Sequence, residues 1–213
     1  TLKELTAMYR AVLRHGILCN AIALGLIATA PAMAERSGGY DVTNATGTYS
    51  DGVANDEGYG YGGAMDNYNV SSTVHDAIFR NNTATDAGGA ISNWGGDMVI
   101  TDSSTKFLSN SSATGGAIYT TGALTLNNVE FNSNSATSTN GGAIMSSAAL
   151  TINNSTFEGN TAAIDAGAID DFVSGTGIID ISGSTFENNS AAQIGAVGFF
   201  RQHKNKITDS TFI

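Results

Sequence analysis

The sequence predicts an all-β chain wound as a right-handed parallel β-helix of about six coils. Three recurring patterns carry that prediction. Phe-x-x-Asn occurs at Phe79 to Asn82, Phe107 to Asn110, Phe131 to Asn134, Phe157 to Asn160 and Phe186 to Asn189, and Phe212 begins another. Gly-Gly-Ala-Ile, or a close variant, alternates with it at Gly62 to Met65, Gly88 to Ile91, Gly115 to Ile118 and Gly141 to Ile144. Ala166 to Ile169 and Ile194 to Val197 read as variants in which the first Gly is replaced. A short alternating piece precedes each Phe: Met98-Val99-Ile100, Leu124-Thr125-Leu126, Leu150-Thr151-Ile152, Ile179-Asp180-Ile181 and the weaker Asn205-Lys206-Ile207.

The Phe residues stand 28, 24, 26, 29 and 26 positions apart, and each period holds three strand-like pieces separated by Asn, Ser and Gly turns. No stretch shows the 3.6-residue apolar period of a helical repeat. The second half is rich in Asn, Ser, Thr, Ala and Gly, a composition shared with disordered tracts, but regular recurrence of Ile, Leu, Val and Phe favours a solenoid. Stacked coils about 4.8 Å apart would give a rod on the order of 30 Å long.

Residues 1–7 precede Met8 and read as an upstream extension. Residues 8–34 have the layout of a secretory signal, a helix to be removed: Arg10 and Arg14, an uncharged run from Ile17 to Ala30, then Pro31-Ala32-Met33-Ala34 with cleavage expected after Ala34. A membrane anchor is the competing reading, weakened by Asn20, Gly25, Thr29 and Pro31. The chain's one cysteine, Cys19, lies inside this segment, so stability of the remainder rests on something other than disulfides. Residues 35–61 do not follow the repeat, and their Tyr, Gly and Asp mixture reads as an irregular N-terminal cap or a linker. Residues 62–213 are the β-helix repeats.

Within a repeat, alternation points Leu124 and Leu126 inward and Thr125 outward, and turns such as Asn153-Asn154 redirect the chain. Each Phe is expected to stack on the Phe one coil away. The Asn three residues later is expected to occupy a left-handed turn, with its amide free to join a ladder along the rod. The Gly pair permits positive φ. Polar neighbours on both sides leave open whether Ala or Ile of Gly-Gly-Ala-Ile faces the core, with Ile the better candidate.

The 213-residue chain has a net charge of −10 and no basic residue between Lys106 and Arg201. A nucleic-acid surface needs clustered cations, and the only cluster, Arg201, Lys204 and Lys206, reads as a solvated end. No cofactor is expected and no zinc spacing exists: His15, His75 and His203 are far apart. The acids Asp165, Asp170 and Asp171, around the variant repeat at Ala166, are the best candidates for a site. In a carbohydrate-active β-helix enzyme paired carboxylates divide acid and base roles. Adjacent Asp170 and Asp171 would face opposite sides of a strand, however, so solvated turn acids are the plainer expectation. Trp94 reads as a surface contact for sugar or protein, or as a cap on the core, the latter preferred.

The alternation of Gly-Gly-Ala-Ile with Phe-x-x-Asn resembles the repeats of chlamydial-type polymorphic outer membrane proteins and, more broadly, the passengers of β-helical autotransporters. The resemblance spans Gly62 to Phe212. It implies an exported, non-enzymatic passenger displayed at the cell surface or outer membrane, acting in adhesion toward a host-cell or neighbouring-cell protein or glycan. It also implies a C-terminal membrane β-barrel. No such set of strands is present here, so the chain reads as truncated, with membrane association only through that missing part. A polysaccharide lyase or hydrolase and a purely structural rod are the alternative readings.

Overall fold

The computed structural model describes residues 44–50, 53–54, 60–171, 178–200 and 205–213. The upstream extension, the signal segment and much of the 35–61 segment lie outside the described residues. Within them every element is a β-strand and every strand pairing is parallel. The chain is a parallel β-solenoid of about five turns.

Three stacks of strands make its walls. The first contains Met98–Thr101, Leu124–Asn127, Leu150–Asn153, Ile179–Ser182 and Lys206–Thr208. The second contains Lys106–Leu108, Glu130–Asn132, Thr156–Glu158, Thr185–Glu187 and Thr211–Phe212. Long strand Ser72–Arg80 joins both, and Asn44–Ser50 pairs with it. The third stack is a six-stranded sheet of Met65–Tyr68, Ile91–Trp94, Ile118–Thr120, Ile144–Ser146, Ile169–Asp171 and Gly198–Phe200. Two-residue strands from Val53–Ala54 to Ser190–Ala191 fill the remaining corner, so the ladder starts upstream of Gly62.

The core is made of like-on-like columns. Leu124 pairs in register with Met98 and Leu150, and Leu126 with Ile100 and Ile152. All six are buried, while Thr125 and Thr151 face outward as alternation requires. Phe79, Phe107, Phe131, Phe157, Phe186 and Phe212 form one continuous stack with centroid separations of 4.7 to 5.1 Å and interplanar angles of at most 7°. The first five are fully buried, each contributing on the order of 1.5–3 kcal/mol by burial alone.

Beside the Phe stack runs an amide ladder. Asn82, Asn110, Asn134, Asn160 and Asn189 pass a hydrogen bond from Nδ2 to the next Oδ1, each at 2.9 Å. Each Oδ1 also accepts the preceding Asn backbone N–H at 3.0 Å. The second Nδ2 hydrogen goes to a Phe carbonyl one coil back, as from Asn134 to Phe107. A buried amide is thus satisfied at both ends, which makes a polar residue tolerable inside. A hydroxyl ladder marks another corner: Ser155 Oγ accepts the Val129 N–H, and Ser184 Oγ accepts the Ser155 N–H.

The left-handed residue of Phe-x-x-Asn is not the Asn. It is the residue before it: Asn81, Ser109, Ser133, Gly159 and Asn188 carry φ of 53 to 61°. The turn is made one position early so that the Asn side chain can enter the interior. Asn153-Asn154 does form the other turn, with positive φ at Asn154.

Ala and Ile of Gly-Gly-Ala-Ile are both in the core. Ala90, Ile91, Ala117, Ile118, Ala143 and Ile144 are all fully buried. The carbonyl of Ala117 accepts the N–H of both Ala90 and Ile91, at 2.9 and 3.0 Å. The chain bends between the two residues, so alternation lapses for one step.

The sixth repeat aligns one residue later than the motif reading places it. Gly198 pairs with Ile169, and Gly167 donates to the Gly195 carbonyl. The repeat is therefore Gly195-Ala196-Val197-Gly198, with φ of 68° at Gly195. A β-branched Ile194 in that left-handed position would be strained, whereas Gly is not. The second-Gly position demands Gly because a Cβ on Gly142 would lie 2.0 Å from the Gly167 carbonyl oxygen of the next coil. Ala196 takes that position in the last described coil of this sheet, where no further described coil lies above it.

Candidate binding face

The outward side of the six-stranded sheet carries Trp94 and Asp170 of the four residues singled out from the sequence, with Asp165 linked to Asp170 beside it. In Ile91–Trp94, Ile91 and Asn93 are fully buried within the solenoid, and alternation turns Trp94 outward. Trp94 therefore does not cap the core. Its ring meets Tyr61 edge-on, with centroids 5.1 Å apart at 71°, and Tyr119 at 5.0 Å and 45°. Tyr68 pairs in register with Trp94 and is 47% exposed. Burial, and then the neighbouring Tyr61, push the Tyr119 hydroxyl above its ordinary pKa.

Asp170 lies farther along this face. It pairs with Met145, which pairs with Tyr119. Asp170 is completely buried, so it is not the solvated turn acid expected, and the same is true of Asp171. Asp171 occupies the column of Asn67, Asn93, Thr120 and Ser146, all buried polar residues. Asn67 Nδ2 donates to Asn93 Oδ1 and Asn93 Nδ2 to Thr120 Oγ1, so this is an inward polar ladder with Asp171 in line. The expected division of the two acids between opposite faces of the strand is what alternation produces here.

Asp165 is tied to Asp170 through Asn140. The Asp165 N–H donates to Asn140 Oδ1 at 3.1 Å, and Asn140 Nδ2 donates to Asp170 Oδ2 at 2.9 Å. Asp165 Oδ1 accepts the Ile194 N–H at 3.1 Å. None of the three acids is matched in register with a carboxylate of the neighbouring coil: Asp170 faces Met145 and Phe199, Asp171 faces Ser146 and Phe200. Among the described residues no three His, Cys, Asp or Glu side chains cluster in a way that could hold a metal ion. His75 lies on strand Ser72–Arg80 and bonds to its neighbour Asp76 at 3.1 Å, with the Asp76 carboxyl held below its ordinary pKa first by that bond and then by Ser104.

Tyr61, Tyr68 and Tyr119 escape motif reading because none belongs to a recurring motif. Superposing the repeats would have found two of them: Tyr68 and Trp94 each follow the Ile position by three, and Tyr119 follows it by one.

Stacked Phe, Asn and Ile columns on an all-parallel frame define a β-solenoid whose interior consumes its repeat motif. That repeat is the Chlamydia polymorphic membrane protein repeat, which the family model matches at residues 76–93, 104–121 and 128–147, and the chain carries it three times. Together these stretches cover about a quarter of the chain, and each holds one Phe-x-x-Asn and one Gly-Gly-Ala-Ile. The repeat is that of a surface-protein family. Neither curated proteins nor solved structures gave a match to the chain.

Proposed function

We propose that this chain is the exported passenger of an autotransporter-type surface protein and that it binds a partner on a host or neighbouring cell. One observation carries the reading. The family repeat spends its defining residues on interior ladders, while outward positions vary from coil to coil. The outward column Thr73, Val99, Thr125, Thr151, Asp180 and Lys206 passes from hydroxyl to apolar to acidic to basic side chains, whereas the inward columns flanking it stay mostly aliphatic. A scaffold that holds its inside constant and varies its outside is suited to recognition rather than to one fixed reaction.

A carbohydrate-cleaving role fits less well. It needs two carboxylates facing a common substrate, whereas Asp171 points inward and Asp165 and Asp170 are engaged by Ile194 and Asn140. The reading is tested by expressing the complete reading frame in a Gram-negative host and treating intact cells with protease. Surface display predicts loss of the 62–213 region and a mature N-terminus at Glu35. An uncleaved, protease-protected chain would contradict it.

A further inference from the structure

We propose that the outer face carrying Tyr61, Tyr68, Trp94 and Tyr119 docks an arginine-bearing segment of a protein partner. This rests on reading the rod as a binding passenger and names the chemistry of what it binds.

The first support is segregation of aromatic types. Among residues with described side chains, Phe forms the stack running through the core, while the only Trp and every Tyr lie together on this face. Three successive coils supply them: Tyr61 and Tyr68, then Trp94, then Tyr119. Trp and Tyr present a broad π surface with a polar tip, and they dominate the energetics of protein interfaces.

Charge is the second. The described basic residues Arg80, Lys106 and Lys206 all belong to the other walls, while Asp66 lies on this face and Asp165 beyond its far end. The chain's net charge of −10 adds a long-range field of the same sign. Anionic ligands are repelled and cationic ones attracted. Guanidinium is the cation suited to aromatic faces because it is planar and weakly hydrated.

Charge, rather than hydrogen bonding, separates an arginine segment from a neutral glycan. Thr121 Oγ1 accepts the Gly95 N–H, while Ser92, in register between Asp66 and Tyr119, keeps a buried hydroxyl without a partner among the described residues. A neutral sugar gains nothing from the acidic field that favours a guanidinium.

The test uses the full chain, in which Trp94 is the only tryptophan and so reports on this face alone. The probe is an end-blocked peptide of alternating Arg and Gly, with a Gln-for-Arg peptide and a neutral maltodextrin as comparisons. The expected result is a saturable change in Trp94 emission with the Arg peptide only, weakened at least fivefold in roughly 0.5 M salt. By calorimetry, Tyr68→Ala should weaken binding at least fivefold with an unchanged circular dichroism spectrum, and Thr125→Ala on another wall should leave it unchanged. Tyr68 is half-exposed, so Tyr68→Ala removes a ring from this face without opening the core. Absence of a saturable change, equal binding by Tyr68→Ala, or binding of the maltodextrin in place of the peptide overturns the proposal. Any of these leaves surface display unaffected, and failed display leaves peptide binding intact, so the two readings fail separately.

Discussion

The Oδ1 atom of Asn110 accepts two hydrogen bonds from Asn82, one from the backbone N–H at 3.0 Å and one from Nδ2 at 2.9 Å. That double acceptance ties the turn of one coil to the side chain of the next. It recurs at every step up to Asn189, so the ladder sets the register between coils as well as satisfying buried amides.

Removing a middle rung should therefore be costly. Asn134→Ala strands the Asn110 N–H and Nδ2 and the Phe107 carbonyl, all buried, at a cost of about 3–5 kcal/mol. Asn189→Ala strands the matching three groups, the Asn160 N–H and Nδ2 and the Phe157 carbonyl, but Asn189 passes no bond onward among the described residues and is less completely buried at the last described rung, so its loss should cost roughly half as much. Urea midpoints of the two variants measure the difference, and equal losses would deny the ladder this role.

The Phe stack predicts a similar gradient. Phe131 is fully buried between Phe107 and Phe157, so Phe131→Ala should lose about 3–5 kcal/mol. Phe212 is 47% exposed at the end of the stack, and Phe212→Ala should lose about 1 kcal/mol or less. Chemical denaturation of both variants is the check.

Ala166 offers a stabilising substitution. It holds φ of 61° in a position that is Gly in the neighbouring coils, at Gly141 and Gly195. Ala166→Gly should raise stability by about 1 kcal/mol. Gly142→Ala should do the reverse and more strongly, because its Cβ would meet the Gly167 carbonyl oxygen at 2.0 Å and the Thr161 carbonyl oxygen at 2.6 Å. A thermal melt in which Ala166→Gly falls below the parent would contradict the left-handed assignment.

Glu158 and Glu187 stack in register on the outside of the second wall. Like charges directly across a strand pair repel, so Glu187→Lys should gain about 0.5 kcal/mol at low salt and lose that gain as salt screens the pair. Unfolding midpoints measured across a salt series test the sign and the screening together.

Recurrence made the fold legible, because a solenoid repeats the same physical problem and its solutions appear as motifs. Leu124, Leu126 and the Phe series could be placed inward from alternation and spacing alone. Backbone dihedrals and coil-to-coil approach were not legible. Nothing in Phe-x-x-Asn says that the residue before the Asn turns left-handed, or that Ala and Ile bend together into the core. The sixth repeat misled because Ile194 precedes Gly195-Ala196-Val197 and imitates a shifted motif. At the candidate site, Trp94, Asp165 and Asp170 were visible as unusual residues in their repeats. Trp94 and Asp170 come to one side of the sheet only through register, Asp165 joins Asp170 only through Asn140, and the burial of Asp170 and Asp171 contradicts the usual placing of turn acids in water.

Residues one repeat apart sit one strand apart in a parallel stack. Thr73, Val99, Thr125, Thr151 and Asp180 lie in one outward column, so Thr73 and Asp180 are four strand spacings apart despite their separation in sequence. Spin labels at Thr73→Cys and Asp180→Cys, with Cys19 replaced by Ser, measure that separation by pulsed electron resonance. A stacked solenoid gives one narrow distribution centred at ~20 Å, from four spacings of about 4.8 Å each. A broad distribution, or a centre beyond about 35 Å, would contradict the stacked solenoid.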